Sequence, residues 1–145
     1  MEITRAYVKS ILPHRDPEGH KGTFGKVYCL CGAVGYTGAP VLAASAAVRS
    51  GSGLVFLGVP KDIWPIVAVK CDSAMPSPLP SQQGKLALAA EDAVRARIDG
   101  CDAVLIGCGM GRSEESDALT RRLIDMDKPL VLDADGINAF ETHIP

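Results

Sequence analysis

The sequence predicts an α/β fold of three layers, a doubly wound and mostly parallel sheet between helices, and three observations lead there. Short apolar runs such as "KVYCLC" and "LVFLGV" alternate with longer alanine-rich or charge-patterned segments, an alternation that implies parallel strands joined by right-handed helical crossovers. Glycine clusters follow two of the apolar runs and a pair of aspartates follows the last. The chain of 145 residues has the length of one domain, enough to bury roughly two-thirds of its unfolded surface.

Composition narrows the function classes. Hydrophobic residues make up 47% and charged residues 22%, the balance of an ordinary globular chain rather than a disordered one. Net charge is −2 and no block of like charge stands out, so nucleic acid is not an expected partner, because it calls for a basic face or stripe. No apolar run reaches the eighteen or so residues that span a bilayer. The opening "MEITRAYVKS" is not a basic segment followed by an apolar one, and the chain reads as cytoplasmic with no membrane partner. Five cysteines, Cys29, Cys31, Cys71, Cys101 and Cys108, contain no C-x-x-C pair, and His14, His20 and His143 show no ligand spacing with them. Cys29 and Cys31 sit two apart in a strand-like run, on one face, and read as small core residues. No protein-built metal site is expected.

Each element has its own signal. Thr4 offers an N-cap for a short amphipathic helix over "ITRAYVKSIL" that Pro13 ends, and residues 1–19 read as a lead-in helix and loop. Lys26 to Cys31 is a buried strand bounded by glycines, followed by a loop from Gly32 to Gly38. Ala39 to Ser50 favours helix, with Pro40 tolerated in the first turn and Gly51 or Gly53 to stop it. Leu54 to Val59 is the next strand, and "KDIWPIVAVK" a short helix starting near Pro65. The proline-rich stretch Asp72 to Gly84 reads as a loop with at most one short strand. Lys85 to Arg97 has apolar residues at helical spacing (Leu86, Ala89, Ala90, Ala93, Val94) and stops at Asp99-Gly100. A strand at Ala103 to Ile106, a helix over "SEESDALTRRLIDM" with acids first and arginines later, and a strand at Leu130 to Leu132 complete the pattern.

Three stretches could carry chemistry, and all follow predicted strands: Gly32 to Gly38, Gly107 to Arg112, and Asp133 to Asn138. In an open parallel sheet the C-terminal strand ends lie along one edge, where ligands bind, so these distant segments would converge on one crevice. "GAVGYTG" lacks both the dinucleotide G-x-G-x-x-G and the P-loop lysine; a tight turn explains it as readily as ligand contact. "GCGMGR" could cradle phosphate on amides at a helix start or form only a strand-to-helix corner. Asp133 and Asp135 could accept sugar hydroxyls or hold magnesium through water, while Asp135 could equally cap a helix. Lys21 is either a phosphate contact or a solvated loop lysine. No nucleophile with its base is evident.

"HKGTFGKV", "GYTGAPVLAASAAVRSGSGLV", "GCGMGR" and "KPLVLDADGIN" together resemble, in order and spacing, the first half of the ADP/ATP-dependent NAD(P)H-hydrate dehydratase family, the YjeF C-terminal-domain type of the ribokinase-like superfamily. The resemblance runs from about His20 onward, so residues 20–145 read as the N-terminal half of such a domain. It implies cofactor repair: hydrated NADH or NADPH (NADHX, NADPHX) is the substrate and loses water at the expense of ADP or ATP with Mg2+ in a kinase-like site. By that resemblance Ala39 and Gly111 contact the hydrated cofactor, and Tyr36, Thr37, Gly38, Gly109, Asp133, Asp135, Asn138 and Lys21 belong to the substrate-binding set. Cys108 and Met110 depart from the family's GPGLG, and cysteine lacks the fixed φ of proline. The "HPGE"-type segment, the nucleotide-binding residues and the "GxGD" aspartate expected as catalytic base match nothing in this sequence, so no catalytic residue is assigned and the chain alone is expected to be inactive.

Two other readings stay open at this level: a small-molecule or carbohydrate kinase of the same superfamily, and a non-catalytic, five-stranded flavodoxin-like nucleotide-binding module. On the half-domain reading an apolar strand edge is left exposed, which favours a homo-oligomer or pairing with a second half. Sedimentation at high concentration is expected to show association; a clean monomer would contradict it.

Overall fold

The computed structural model describes residues 2–141; Met1 and residues 142–145, with the His143 weighed above, lie outside the described residues. Thr4 caps α1 (Arg5–Ile11) as anticipated, its hydroxyl accepting from Tyr7 N at 3.2 Å. The helix buries none of its residues and leaves Ile11 and Leu12 in solvent, so it precedes the core without joining it. The core begins at β1 (Lys26–Leu30), followed by α2 (Gly38–Arg49), β2 (Leu54–Pro60) and α3 (Trp64–Lys70). Each is within a residue or two of the sequence expectation, because an apolar run between glycines and an alanine-rich run behind Pro40 leave little ambiguity.

In the next stretch the one short strand allowed for is present, joined by a second, and one expectation needs correction. Part of the expected loop at Asp72 to Gly84 is the strand β3 (Met75–Leu79), which pairs parallel with β2. Pro76 and Pro78 hid it, yet an edge strand accepts prolines because alternate N–H groups face away from its single partner. The helix expected from Lys85 starts instead at Glu91. Before it, β4 (Ser81–Gln82) and β5 (Lys85–Leu86) form an antiparallel hairpin and residues Leu88–Ala90 a 3₁₀ turn. Gln83 and Gly84 both have positive φ, +50° and +75°, the two-residue turn whose twist matches a hairpin. Leu86 is buried from a strand, so its apparent helical phase with Ala90 and Val94 was coincidental.

The rest is α4 (Glu91–Asp99), β6 (Ala103–Ile106), α5 (Glu114–Leu123), β7 (Leu130–Leu132) and α6 (Asp135–Asn138). The five-stranded sheet is all parallel in the order β3-β2-β1-β6-β7. Alternation along β1 feeds both faces. Tyr28 and Leu30 join α4 and α5 residues such as Val94, Ile98, Leu119 and Leu123. Cys29 and Cys31 join Ala44, Leu57, Ile63 and Val67 on the side of α2 and α3. Helices on both faces of a parallel sheet make the expected three layers.

The chain runs outward from β1 through β2 to β3, then crosses back to place β6 on the other flank of β1. The order reverses between β1 and β6, the switch point where connections diverge and leave a crevice. A flavodoxin-like sheet has its second strand, not its third, outermost beside the first, so that alternative is overturned. The far edge is β7, only three residues long, with Val131 60% exposed. Leu57 has no exposed surface within β2, and Leu57→Ala is expected to cost about 2–5 kcal/mol, read as a lower urea midpoint with an unchanged slope; a loss below about 1 kcal/mol would contradict this packing.

Candidate functional site

Three loops meet above the switch point. The first, between β1 and α2, leaves the sheet at Gly32 with φ +89°. A Cβ there would stand 2.8 Å from Ile63 Cδ1 and 2.9 Å from Pro40 Cγ, so glycine lets the loop fold back over its own helix. The second, between β6 and α5, carries three glycines with positive φ: Gly107, Gly109 and Gly111. The third joins β7 to α6.

The loops touch through atoms that only glycine permits. A Cβ on Gly109 would stand 2.7 Å from Ala39 Cβ and 3.1 Å from Tyr36 Cβ, which brings the first and second loops into direct contact. A Cβ on Gly107 would run into Asp133 O and stand 2.6 Å from Gly136 N, which does the same for the second and third. Backbone bonds complete the junction: Gly32 N donates to Cys108 O at 3.0 Å, and Asp133 N to Ile106 O at 3.0 Å. Asp135 spans the gap, its Oδ2 accepting from Gly111 N at 2.8 Å, while Asn138 Nδ2 approaches its Oδ1 at 3.5 Å. Asp135 therefore does not cap α6. Position N-cap is Ala134, a non-glycine residue at φ +44° and ψ −112°, a sparsely populated conformation of the sort that persists where surrounding contacts over-determine the backbone.

Nine of the ten residues named from the sequence thus gather at one end of the sheet: Tyr36, Thr37, Gly38 and Ala39 from the first loop, Gly109 and Gly111 from the second, and Asp133, Asp135 and Asn138 from the third. Tyr36 and Asp133 are exposed, Ala39 and Asp135 half-buried. Lys21 does not join them. It precedes β1, and its carbonyl packs against Gly53 at the start of β2, at the opposite, N-terminal end of the strands.

Residues that sequence reasoning missed come from the hairpin. Val34 N donates to Gly84 O at 2.8 Å, tying the turn to the first loop. Lys85 Nζ donates to Arg112 O at 2.9 Å, and its Cε lies 3.2 Å from where a Cβ on Gly111 would stand. One cation therefore sits beside the last glycine of the second loop. The signal was present in "SQQGKL", a glycine-ended turn between short extended pairs, but the alanine-rich helix after it dominated the pattern.

The charges are already partly committed. Asp133 Oδ2 accepts from Cys108 Sγ at 3.3 Å, and Asp135 is held by Gly111 as above. Among the described residues, no three His, Cys, Asp or Glu side chains gather as a metal-holding group. A magnesium ion is commonly held by one or two carboxylates together with substrate phosphates, and Asp133 and Asp135 are the carboxylates at this junction.

The all-parallel sheet and its strand order give the chain a ribokinase-like α/β fold. A ribokinase-like superfamily protein of Enterococcus faecalis superposes with a TM-score of 0.80 at 19% identity, over 97% of this chain and 47% of that one, a likeness of fold. The NAD(P)H-hydrate dehydratase family model matches residues 27–145, and this chain belongs to that family. It is 41% identical over 146 residues to the bifunctional NAD(P)H-hydrate repair enzyme of Salinibacter ruber, covering 99% of this chain and 27% of that protein. It also superposes on the ADP/ATP-dependent NAD(P)H-hydrate dehydratase of Bacillus subtilis, co-crystallised with ATP and Mg2+, with a TM-score of 0.73 and 29% identity over 92% of this chain and 45% of that one. The chain thus spans about a quarter to a half of the length of these relatives. Among the described residues, no helix is long and apolar enough to cross a membrane.

Asp135→Ala removes the acceptor for Gly111 N and is expected to cost about 1–3 kcal/mol. Amide exchange at Gly111 should quicken by more than that of the β1 and β2 amides, which report only the global loss of stability; unchanged exchange at Gly111 would contradict the bond.

Proposed function

We propose that this chain supplies the substrate wall of an NAD(P)H-hydrate dehydratase, the side of the crevice that holds hydrated NADH or NADPH while water is eliminated at the expense of ADP or ATP. The observation that carries the reading is the junction of the three loops at the switch point, where Gly109 packs on Ala39 and Gly111 is pinned by Asp135. Ala39, half-buried, offers a methyl group at the junction, and Gly111 lies beneath Lys85 with its N–H held by Asp135. Tyr36, Thr37, Gly38, Gly109, Asp133 and Asn138 border it, with carboxylates suited to accept hydroxyl hydrogens from a ribose or the hydrated ring. Lys85 adds the positive charge that a phosphate-bearing cofactor would meet.

In this reading the nucleotide wall, the magnesium that accompanies it and the catalytic base come from residues that the longer relatives carry and this sequence does not match. Phosphorylating the substrate hydroxyl makes it a better leaving group, which is how a kinase-like crevice serves a dehydration. The chain alone binds without turnover. The edge strand β7, with Val131 exposed, is the place where a second half or a second copy would add. The reaction belongs to the cytoplasm, where the nicotinamide cofactors are used.

Calorimetric titration separates the parts of this proposal. Hydrated NADPH is expected to bind and ADP to give no heat; binding of ADP alone, or of neither, would contradict the substrate-wall assignment. Lys85→Met should weaken cofactor binding about two- to five-fold, the scale of an exposed charge pair, and flatten its salt dependence.

A further inference from the structure

Two thiols lie side by side beneath this crevice. β1 and β6 are adjacent and in register, with Leu30 opposite Ile106, and the ladder continues past both strands: Gly107 N donates to Leu30 O at 3.2 Å and Gly32 N to Cys108 O at 3.0 Å. Cys31 and Cys108 therefore flank the same rungs on neighbouring strands. Strands sit about 4.8 Å apart, and a disulfide spans Cα separations of roughly 4.4–6.8 Å. Both side chains enter the cluster on the α2 and α3 side of the sheet. Cys31 is fully buried, whereas Cys108 is half-buried within the second glycine loop and contacts Asp133 Oδ2 at 3.3 Å.

We infer that Cys31 and Cys108 form a peroxide-sensitive dithiol site, in which Cys108 reacts first and Cys31 resolves it to a disulfide that ties the second glycine loop to the end of β1. The neighbouring Cys31 draws the Cys108 thiol below its ordinary range against the opposing push of burial and of Asp133, while its nearness to Cys108 together with burial holds Cys31 well above. The exposed partner is thus the nucleophile and the buried one keeps its proton until needed. The half-buried Cys71 differs, because burial and Asp72 push its thiol up.

The chemistry balances with a hydroperoxide as oxidant. The Cys108 sulfur attacks one peroxide oxygen, an S–O bond forms as the O–O bond breaks, and the departing hydroxide takes the Cys108 proton, leaving as water when the oxidant is hydrogen peroxide. The Cys31 sulfur then displaces the hydroxyl of the sulfenic acid; an S–S bond forms, the S–O bond breaks, and the Cys31 proton leaves with hydroxide as a second water. Two thiols lose two electrons and one peroxide gains them. Oxidation also withdraws Cys108 from Asp133 and adds a covalent tie to a loop otherwise held by backbone contacts and by the bonds from Asp135 and Lys85.

The test is limited hydrogen peroxide treatment of the folded chain, followed by mass spectrometry of an unreduced digest. A peptide pair joined through Cys31 and Cys108, lost on dithiothreitol treatment, is expected at doses that leave Cys71 free. In Cys31→Ser the link should vanish and a sulfenic-acid trap should label Cys108, whereas Cys29→Ser should keep the link. Oxidation of Cys71 before Cys108, or passage of wild-type Cys108 to sulfinic acid without the link, would overturn the inference. The wild-type digest decides this even if a variant fails to fold.

Discussion

The structure depends on backbone meeting backbone at the switch point between β1 and β6. Strands about 4.8 Å apart deliver two loops onto the same few cubic ångströms, and the loops turn in opposite directions because their helices cover opposite faces. Side chains at the junction would force the loops apart. Gly107 and Gly109, with positive φ and no room for a Cβ, let the second loop rest on Asp133 on one side and on Ala39 and Tyr36 on the other. The convergence of the three loops follows from that contact, as does the position of Asp135 as a brace on Gly111.

This constraint explains why the centre of the fold was legible in the sequence and its margins were not. β1, β2 and β6 are apolar runs flanked by glycines and β7 is an apolar run between Pro129 and Asp133, and their bounds followed from those features almost unaided. The glycine spacing also announced that the loops after β1 and β6 needed unusual backbone, and parallel topology brought them together with the Asp133 segment. β3 was foreseen only as one short strand without bounds, because its prolines speak against a strand and only its tertiary place at a sheet edge makes them tolerable. The hairpin at Ser81–Leu86 escaped because Leu86 falls in phase with the helix that follows, so Lys85 could not be placed beside Gly111. Lys21, in contrast, sits in a motif that carried the family resemblance, yet that motif serves the opposite end of the strands. Resemblance places a residue in a family, not in a site.

The family membership and the covered fraction bear on each other. A sheet whose far edge is the three-residue β7, with Val131 in solvent, exposes backbone and apolar surface that a longer relative's additional chain has the means to cover. The crevice likewise has one wall of glycine loops and carboxylates and no opposing wall among the described residues. Both features fit the proposed reading, in which substrate recognition lies on this side of the junction.

The most direct measurement of that claim is amide hydrogen exchange of the chain with and without hydrated NADPH. The account predicts added protection confined to the loops at Val34–Ala39, Gly109–Arg112 and Asp133–Asn138. Protection at the opposite end, around Arg15, Phe24 and Gly51, or none at all, would contradict it.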